Sequence, residues 1–110
     1  MPNAKFYVDQ TVWTQREDIV ALLPRLRDLL CHRLSVDPAA CQLAVLPVHG
    51  LPDQPLINVE LHILPAPNRT RDLLTSLAAA IQQLLAALVA GKIAVRIATL
   101  DREAYVALKS

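Results

Sequence analysis

The chain of 110 residues has few aromatic side chains, only two cysteines and almost no net charge. A formal net charge of +1 leaves no electrostatic footprint, so we expect neither nucleic acid nor an anionic membrane surface as a partner. Cys31 and Cys41 follow no metal-ligand spacing and are too few for a disulfide framework. We therefore expect two buried thiols in a reducing cytosol, and no metal. Lys5 and Asp9 interrupt any apolar segment of a signal peptide, which predicts a cytoplasmic protein.

Aliphatic residues are abundant instead, because 54% of the chain is hydrophobic and only 4% is aromatic. A chain of this length can bury one core, so we expect residues 1–110 to form a single domain. The aliphatic surplus predicts that other subunits cover part of its surface. Residues 73–91 carry no charge and approach the length of a membrane span. Polar and small side chains recur there at helical spacing, which predicts an amphipathic helix packed on the core and no membrane span.

The first half of the chain predicts a strand followed by a helix. Residues 4–9 alternate between apolar and polar side chains, as a strand with one buried face does. Thr14 and Glu17 have the spacing of a capping box, which predicts a helix that begins at Thr14. Pro24 falls inside the apolar pattern of this helix, so we expect a kink there rather than a second helix start.

Two further strands and a second helix follow. Residues 42–48 are almost wholly apolar, which predicts a strand covered on both faces, and residues 57–64 alternate more regularly than any other stretch. Asn68 or Thr70 is expected to cap the second helix, and Gly91 is expected to end it.

The last strand is predicted at residues 93–99, followed by a helical turn within residues 101–108 in which Tyr105 is the anchor. The order is strand–helix–strand twice, with a weak internal repeat of residues 2–50 and 56–100. We therefore predict an α+β fold, in which two βαβ units form a four-stranded mixed sheet with two helices on one face. Solvent or a subunit interface would explain the polar character of the other face, which carries Lys5, Tyr7, Asp9, Asn58, Glu60, His62 and Arg96.

Two superfolds share this element order, the ferredoxin-like fold and the tautomerase fold. Met1-Pro2 leading directly into a strand resembles the start of 4-oxalocrotonate tautomerase, macrophage migration inhibitory factor and 5-carboxymethyl-2-hydroxymuconate isomerase. Leu61-His62-Ile63 followed by Asn68-Arg69-Thr70 resembles the second strand-to-helix joint of the migration inhibitory factor group. Val95-Arg96-Ile97 resembles the tautomerase strand whose Arg binds a substrate carboxylate. The resemblance to the tautomerase superfamily extends from Pro2 to about Leu100.

The resemblance implies an activity and a set of site residues. Pro2 would be the general base of a cofactor-independent tautomerase, an isomerase that moves a proton between carbon and oxygen of a small enol or dienol carboxylate. Arg96, Arg69 and His62 would bind this substrate, with Arg96 contributed by a neighbouring subunit of a homotrimer. A guanidinium suits this role because it binds a carboxylate with two hydrogen bonds and draws charge toward an enolate oxygen.

Other features leave different functions open. A Met-Pro start can reflect N-terminal processing alone, and a retained Met1 would turn the Pro2 nitrogen into an amide without basicity. Trp13 stands where the short tautomerases carry their first Arg, and residues 42–44 contain no basic side chain where relatives have one. A non-catalytic trimeric binding or assembly module of the same fold therefore remains an alternative. A ferredoxin-like ligand-binding domain is another, and it would separate the first two strands by the third.

Overall fold

Alternating apolar side chains build the two central strands, β1 (Asn3–Asp9) and β3 (Ile57–Ile63). The computed structural model describes residues 2–110, so the expected removal of Met1 lies outside the residues it describes. Phe6 of β1 and Leu61 of β3 are 1% and 0% exposed. Because side chains alternate between the faces of a strand, each strand presents one apolar face and one polar face. The alternation in the sequence therefore predicted both strands correctly.

The sheet is completed by β2 (Gln42–Val48) and β4 (Ile93–Thr99), and its strand order is β2-β1-β3-β4. β1 pairs with β2 in parallel and with β3 in antiparallel orientation, and β3 pairs with β4 in parallel. The predicted four-stranded mixed sheet is confirmed. Because β1 and β2 are direct neighbours, the ferredoxin-like alternative is wrong.

The first helix, α1 (Arg16–Leu34), begins later than the capping box predicted. A 3-10 helix occupies Gln10–Gln15 and leads directly into α1, whose start at Gln15 has no side-chain cap. Thr14 therefore lies inside the 3-10 helix and caps nothing. The helix continues through Pro24, so the prediction of one helix and not two is confirmed.

The second helix, α2 (Arg71–Ala86), begins where Thr70 accepts a 3.2 Å hydrogen bond from the backbone nitrogen of Leu73. It ends at Ala86, five residues before the predicted stop at Gly91. Gly91 instead shapes the turn into β4 with a φ of 122°, where a Cβ atom would lie 2.8 Å from Leu56. The glycine was therefore a turn signal and not a helix end. Within residues 2–110, no helix combines the length and the apolarity that a membrane span requires.

Both helices cover the same face of the sheet, and their apolar side chains meet in one core. This core joins Leu26 and Leu30 of α1 and Leu77 and Ile81 of α2 to the buried face of β1 and β3. The opposite face of the sheet has no covering element among residues 2–110. β2 is an edge strand with half-buried residues, so the prediction that a single chain covers both of its faces is wrong.

The C-terminal residues form the predicted turn but make no anchor. Ala104 and Tyr105 donate backbone hydrogen bonds to the Asp101 carbonyl, which confirms one turn. Tyr105 is 40% exposed, and Val106 and Leu108 are 80% and 97% exposed. The predicted role of Tyr105 as an anchor on its own chain is therefore wrong.

Asp9 was placed on the polar sheet face by its alternation, but it is buried and binds the backbone of two other segments. Its Oδ2 accepts hydrogen bonds from the backbone nitrogen and the hydroxyl of Thr11, and its Oδ1 accepts one from the nitrogen of Gly50. Asp9 thus caps the 3-10 helix and joins it to the loop before β3. The Thr11 bonds hold the pKa of this carboxyl below its usual value of 3.8.

We expect Asp9→Asn to lower the melting temperature by about 5 °C at neutral pH, because an amide cannot accept all these bonds. A depressed pKa contributes stability above the ordinary value, and that contribution disappears as pH falls through the folded-state value. The difference from the wild type should therefore be constant from pH 7 to 5 and shrink below pH 3.8. Thermal melts across this range test the prediction, with Asp53→Asn in the exposed loop as control. An unchanged difference at pH 2.5 would contradict it.

Candidate functional site

Pro2 lies at the end of the sheet where β1 and β2 begin and β3 finishes. It is buried, and its carbonyl accepts a 3.0 Å hydrogen bond from the backbone nitrogen of Gln42, the first residue of β2. Asn3, the next residue, is paired on both sides, with Gln42 and with His62. The position of Pro2 is therefore set by a central strand and not by a free chain end.

His62 is the predicted site residue that lies nearest to Pro2 in the strand register. His62 on β3 pairs with Asn3 on β1, and Asn3 directly follows Pro2 in the chain. The His62 side chain is exposed on the uncovered face of the sheet. Asn3 lies on that same face and accepts a 2.8 Å hydrogen bond from Lys5 Nζ. This end of the uncovered face therefore presents an imidazole, an amide and an ammonium group.

Arg96 lies on the same uncovered face but far from Pro2 within one chain. It pairs with Glu60, which pairs with Lys5, so it lies three residues along and two strands across from Pro2. Ordinary strand spacing makes this about 10 Å in each direction. Its Nη1 donates a 3.1 Å hydrogen bond to Asn58 Oδ1, and the residue is exposed. A single chain therefore does not bring Arg96 and Pro2 together.

Arg69 binds backbone carbonyls at the joint between the two halves. Its Nη1 donates to the carbonyl of Leu64, just after β3, and its Nη2 donates a 3.3 Å hydrogen bond to the carbonyl of Leu34, the last residue of α1. Its Nε is buried and has no hydrogen-bond partner. Arg69 also lines a surface cavity of about 590 Å³ between α2 and β4, together with Arg71 and Thr99. Two of its five N–H donors thus bind carbonyls of its own chain.

One contact near this end of the sheet could not be predicted from the sequence. Cys31 and Cys41 are half-buried and free, and their Sγ atoms are 3.6 Å apart. They are thus less buried than predicted, and they touch each other. A ten-residue separation across a helix end carries no periodic signal that could have predicted the contact. Among residues 2–110, no group of three or more His, Cys, Asp or Glu side chains is placed to hold a metal ion.

No protein-family model and no curated protein matches the sequence. Several solved structures share its fold. A 5-carboxymethyl-2-hydroxymuconate isomerase from Deinococcus radiodurans R1 is 14% identical, with a TM-score of 0.76. The superposition covers 99% of this chain and 90% of the isomerase chain. A fused 4-OT wild-type asymmetric trimer is 15% identical with a TM-score of 0.72, covering 96% and 91%. Pt0534 inactivated by 2-oxo-3-pentynoate is 13% identical with a TM-score of 0.64, covering 89% and 85%.

The chain has the tautomerase fold. The resemblance inferred from Pro2, His62, Arg69 and Arg96 is confirmed at the level of the fold by these structures and by the order of the strands. Identities of 13–15% carry no information about individual side chains. The roles of the four residues therefore stay predictions.

Replacing Arg69 with Ala should destabilise the protein, because the change leaves two carbonyls without their charged donor. We expect the free energy of unfolding to fall by about 2 kcal/mol. Arg71→Ala is the matched control, since Arg71 is exposed in the first turn of α2 and a cation there gains nothing from the helix dipole. Urea unfolding of both variants makes the comparison. An Arg69→Ala variant as stable as Arg71→Ala would show that the carbonyl bonds contribute nothing.

Proposed function

We propose that this protein is a homotrimeric, cofactor-independent tautomerase that uses Pro2 as a general base on a small enol or dienol carboxylate. The observation that carries the proposal is the position of Pro2, buried at the end of a central strand in a chain with the tautomerase fold. Burial favours the neutral form of an amine, and an N-terminal amine already titrates near neutral pH. A neutral secondary amine in a rigid ring is a suitable base for proton transfer between carbon and oxygen.

Several surfaces support the trimer. The uncovered sheet face carries the half-buried Leu46 beside the polar residues, and the C-terminal residues expose Val106 and Leu108. Large exposed side chains of this kind mark surfaces that a partner covers. Similar structures include a symmetric and an asymmetric trimer of fused 4-OT. A closed ring of three copies would cover these surfaces with identical contacts.

In such an assembly the substrate carboxylate is bound by cations of the second half. Arg96 lies on the uncovered face, where its guanidinium donates a hydrogen bond to Asn58. If that bond is broken, a neighbouring copy could present Arg96 to Pro2. His62 adds a polar group beside the row of Pro2. Arg69 lines a cavity and keeps a buried Nε without a partner, but both of its Nη atoms already donate to carbonyls of its own chain. Arg96 is therefore the stronger of the two arginines for binding substrate.

The second candidate is a non-catalytic trimeric module of the same fold. The absence of Lys and Arg from position 34 to position 68 favours it, since β2 then contributes no cation beside Pro2 and the nearby Lys5 ammonium is bonded to Asn3. The hydrogen bonds from Arg69 to two backbone carbonyls favour the non-catalytic module as well. Both candidates predict the same assembly, and only measured proton transfer separates them.

Ketonisation of 2-hydroxymuconate or phenylenolpyruvate tests the first candidate. The intact mass must first show that Met1 is absent, because a retained Met1 would acylate the Pro2 nitrogen. We expect Pro2→Ala to lower kcat about 100-fold or more, since a positioned general base contributes at least that much. Equal rates for the two proteins would remove the enzyme function and leave the assembly module. Circular dichroism of Pro2→Ala serves as the control for folding.

Replacing Arg96 with Ala should raise KM about tenfold or more while kcat changes less, because a charged hydrogen bond to the substrate carboxylate is lost. Arg25→Ala, on the exposed side of α1, is the matched control and should leave KM unchanged. An unchanged KM for Arg96→Ala would remove Arg96 from the site.

Mixed assemblies decide whether Arg96 acts between subunits. Pro2→Ala and Arg96→Ala subunits are each impaired, but a trimer that contains both has sites with an intact Pro2 from one copy and an intact Arg96 from the next. We expect co-refolded mixtures to regain activity that neither variant has alone. The mixture could instead be no more active than the average of the two variants measured separately. Arg96 and Pro2 of a working site would then come from the same chain, or Arg96 would have no role in the site.

A further inference from the structure

Two thiols meet at the junction between α1 and β2. Cys31 lies in the last turn of α1, and Cys41 directly precedes β2. Their Sγ atoms are 3.6 Å apart, which is contact without a covalent bond. A disulfide joins sulfurs about 2.05 Å apart, so closing the bond moves them together by about 1.5 Å. Side-chain rotation and a small backbone adjustment can supply a movement of this size.

The backbone around both cysteines is held in place. The Cys31 carbonyl accepts a 3.2 Å hydrogen bond from the nitrogen of Val36, after the chain reverses at Ser35 with a φ of 55°. The Cys41 nitrogen donates a 3.1 Å hydrogen bond to the carbonyl of Pro38. These bonds keep the two sulfurs near each other without help from a crosslink, so the effective concentration of one thiol at the other is high.

One of the two cysteines lines a surface cavity. Cys41 lines a cavity of about 240 Å³ between α1 and the edge strand β2, together with Leu23, Pro24, Arg27 and Leu43. The Arg27 guanidinium gives this cavity a positive charge. This charge favours a disulfide reagent that carries carboxylates, and Cys31, in contact with Cys41, supplies the second thiol.

We propose that Cys31 and Cys41 form a reversible dithiol–disulfide pair, oxidised by a small anionic disulfide that enters the cavity beside Arg27. The Cys41 thiolate attacks one sulfur of the reagent, which gives a mixed disulfide and releases the first reagent thiol. Cys31 loses its proton and attacks the Cys41 sulfur, which releases the second reagent thiol. The two protein thiols are oxidised to one disulfide, and the reagent disulfide is reduced to two thiols.

The environment of Cys41 makes this exchange slow in the resting protein. Burial, with a smaller contribution from the hydrogen bond to Cys31, raises the pKa of the Cys41 thiol to about 11. Because only the thiolate attacks a disulfide, the exchange should become faster as pH rises. Once formed, the disulfide joins the end of α1 to the residue before Gln42, whose nitrogen binds the Pro2 carbonyl.

The test uses the full-length reduced protein and an excess of oxidised glutathione at pH 8, and it does not depend on proton transfer by Pro2. We expect both free thiols to disappear, the intact mass to fall by two hydrogens without a glutathione adduct, and the chain to stay monomeric on a denaturing gel without reductant. The melting temperature should rise by about 5–10 °C and return after reduction. Persistent free thiols, a stable adduct or crosslinked chains would each overturn the proposal.

Variants separate the two sulfurs and the role of Arg27. Cys31→Ser should stop the reaction at a stable glutathione adduct on Cys41, because the second thiol is gone. Arg27→Gln should slow oxidation by glutathione several-fold more than oxidation by neutral 2-hydroxyethyl disulfide. Equal slowing with both reagents would overturn entry beside Arg27. Since the wild-type measurement stands alone, an unstable variant does not remove the test.

Discussion

Backbone pairing along both edges of β1 is the constraint on which the rest of the structure depends. The parallel pairing with β2 closes the first half, and the antiparallel pairing with β3 joins it to the second. β1 belongs to both halves of the sheet at once, and so the core formed under α1 continues into the core formed under α2. The same pairing fixes the residue that precedes β1. Pro2 is immobilised because Asn3 is bonded on both sides, whereas the first residue of an edge strand would be free to fray.

The two faces of the sheet differ, because the helices of the chain cover only one of them. The helices bury one face completely at β1 and β3, but no element among residues 2–110 covers the other face. On that face Lys5 lies beside the half-buried Ala44 of β2, Leu46 of β2 is half-buried as well, and His62 and Arg96 lie farther across on β3 and β4. An apolar edge next to a charged centre is unusual for a surface that only meets water. The apolar run of β2 was interpreted as a strand covered on both sides, and within residues 2–110 no element provides that second cover.

The sequence predicted the strands and the core well, because residues on one face of a strand repeat every second position and burial follows directly. It predicted helix ends poorly, since those depend on contacts that periodicity does not contain. Thr14 has the sequence pattern of a capping box, but the structure uses Asp9 as the cap of a 3-10 helix. The same carboxylate accepts a hydrogen bond from Gly50, 41 residues away. The bond from Arg69 to Leu34 spans 35 residues, and the contact of Cys31 with Cys41 crosses a left-handed turn at Ser35. Such pairings exist only after the halves have packed.

The distribution of charge between the halves determines what any chemistry at Pro2 requires. The candidate base comes from the first half, which has no cation between residues 34 and 68, and the arginines come from the second. Within one chain Arg96 is two strands away from Pro2, and it projects from the face opposite to the core. A guanidinium can stabilise a developing enolate only at hydrogen-bond distance. If Pro2 is the base that we propose, the reaction requires the assembly, because within one chain Arg96 lies two strands away from Pro2 and only a neighbouring copy could bring it to that end of the sheet.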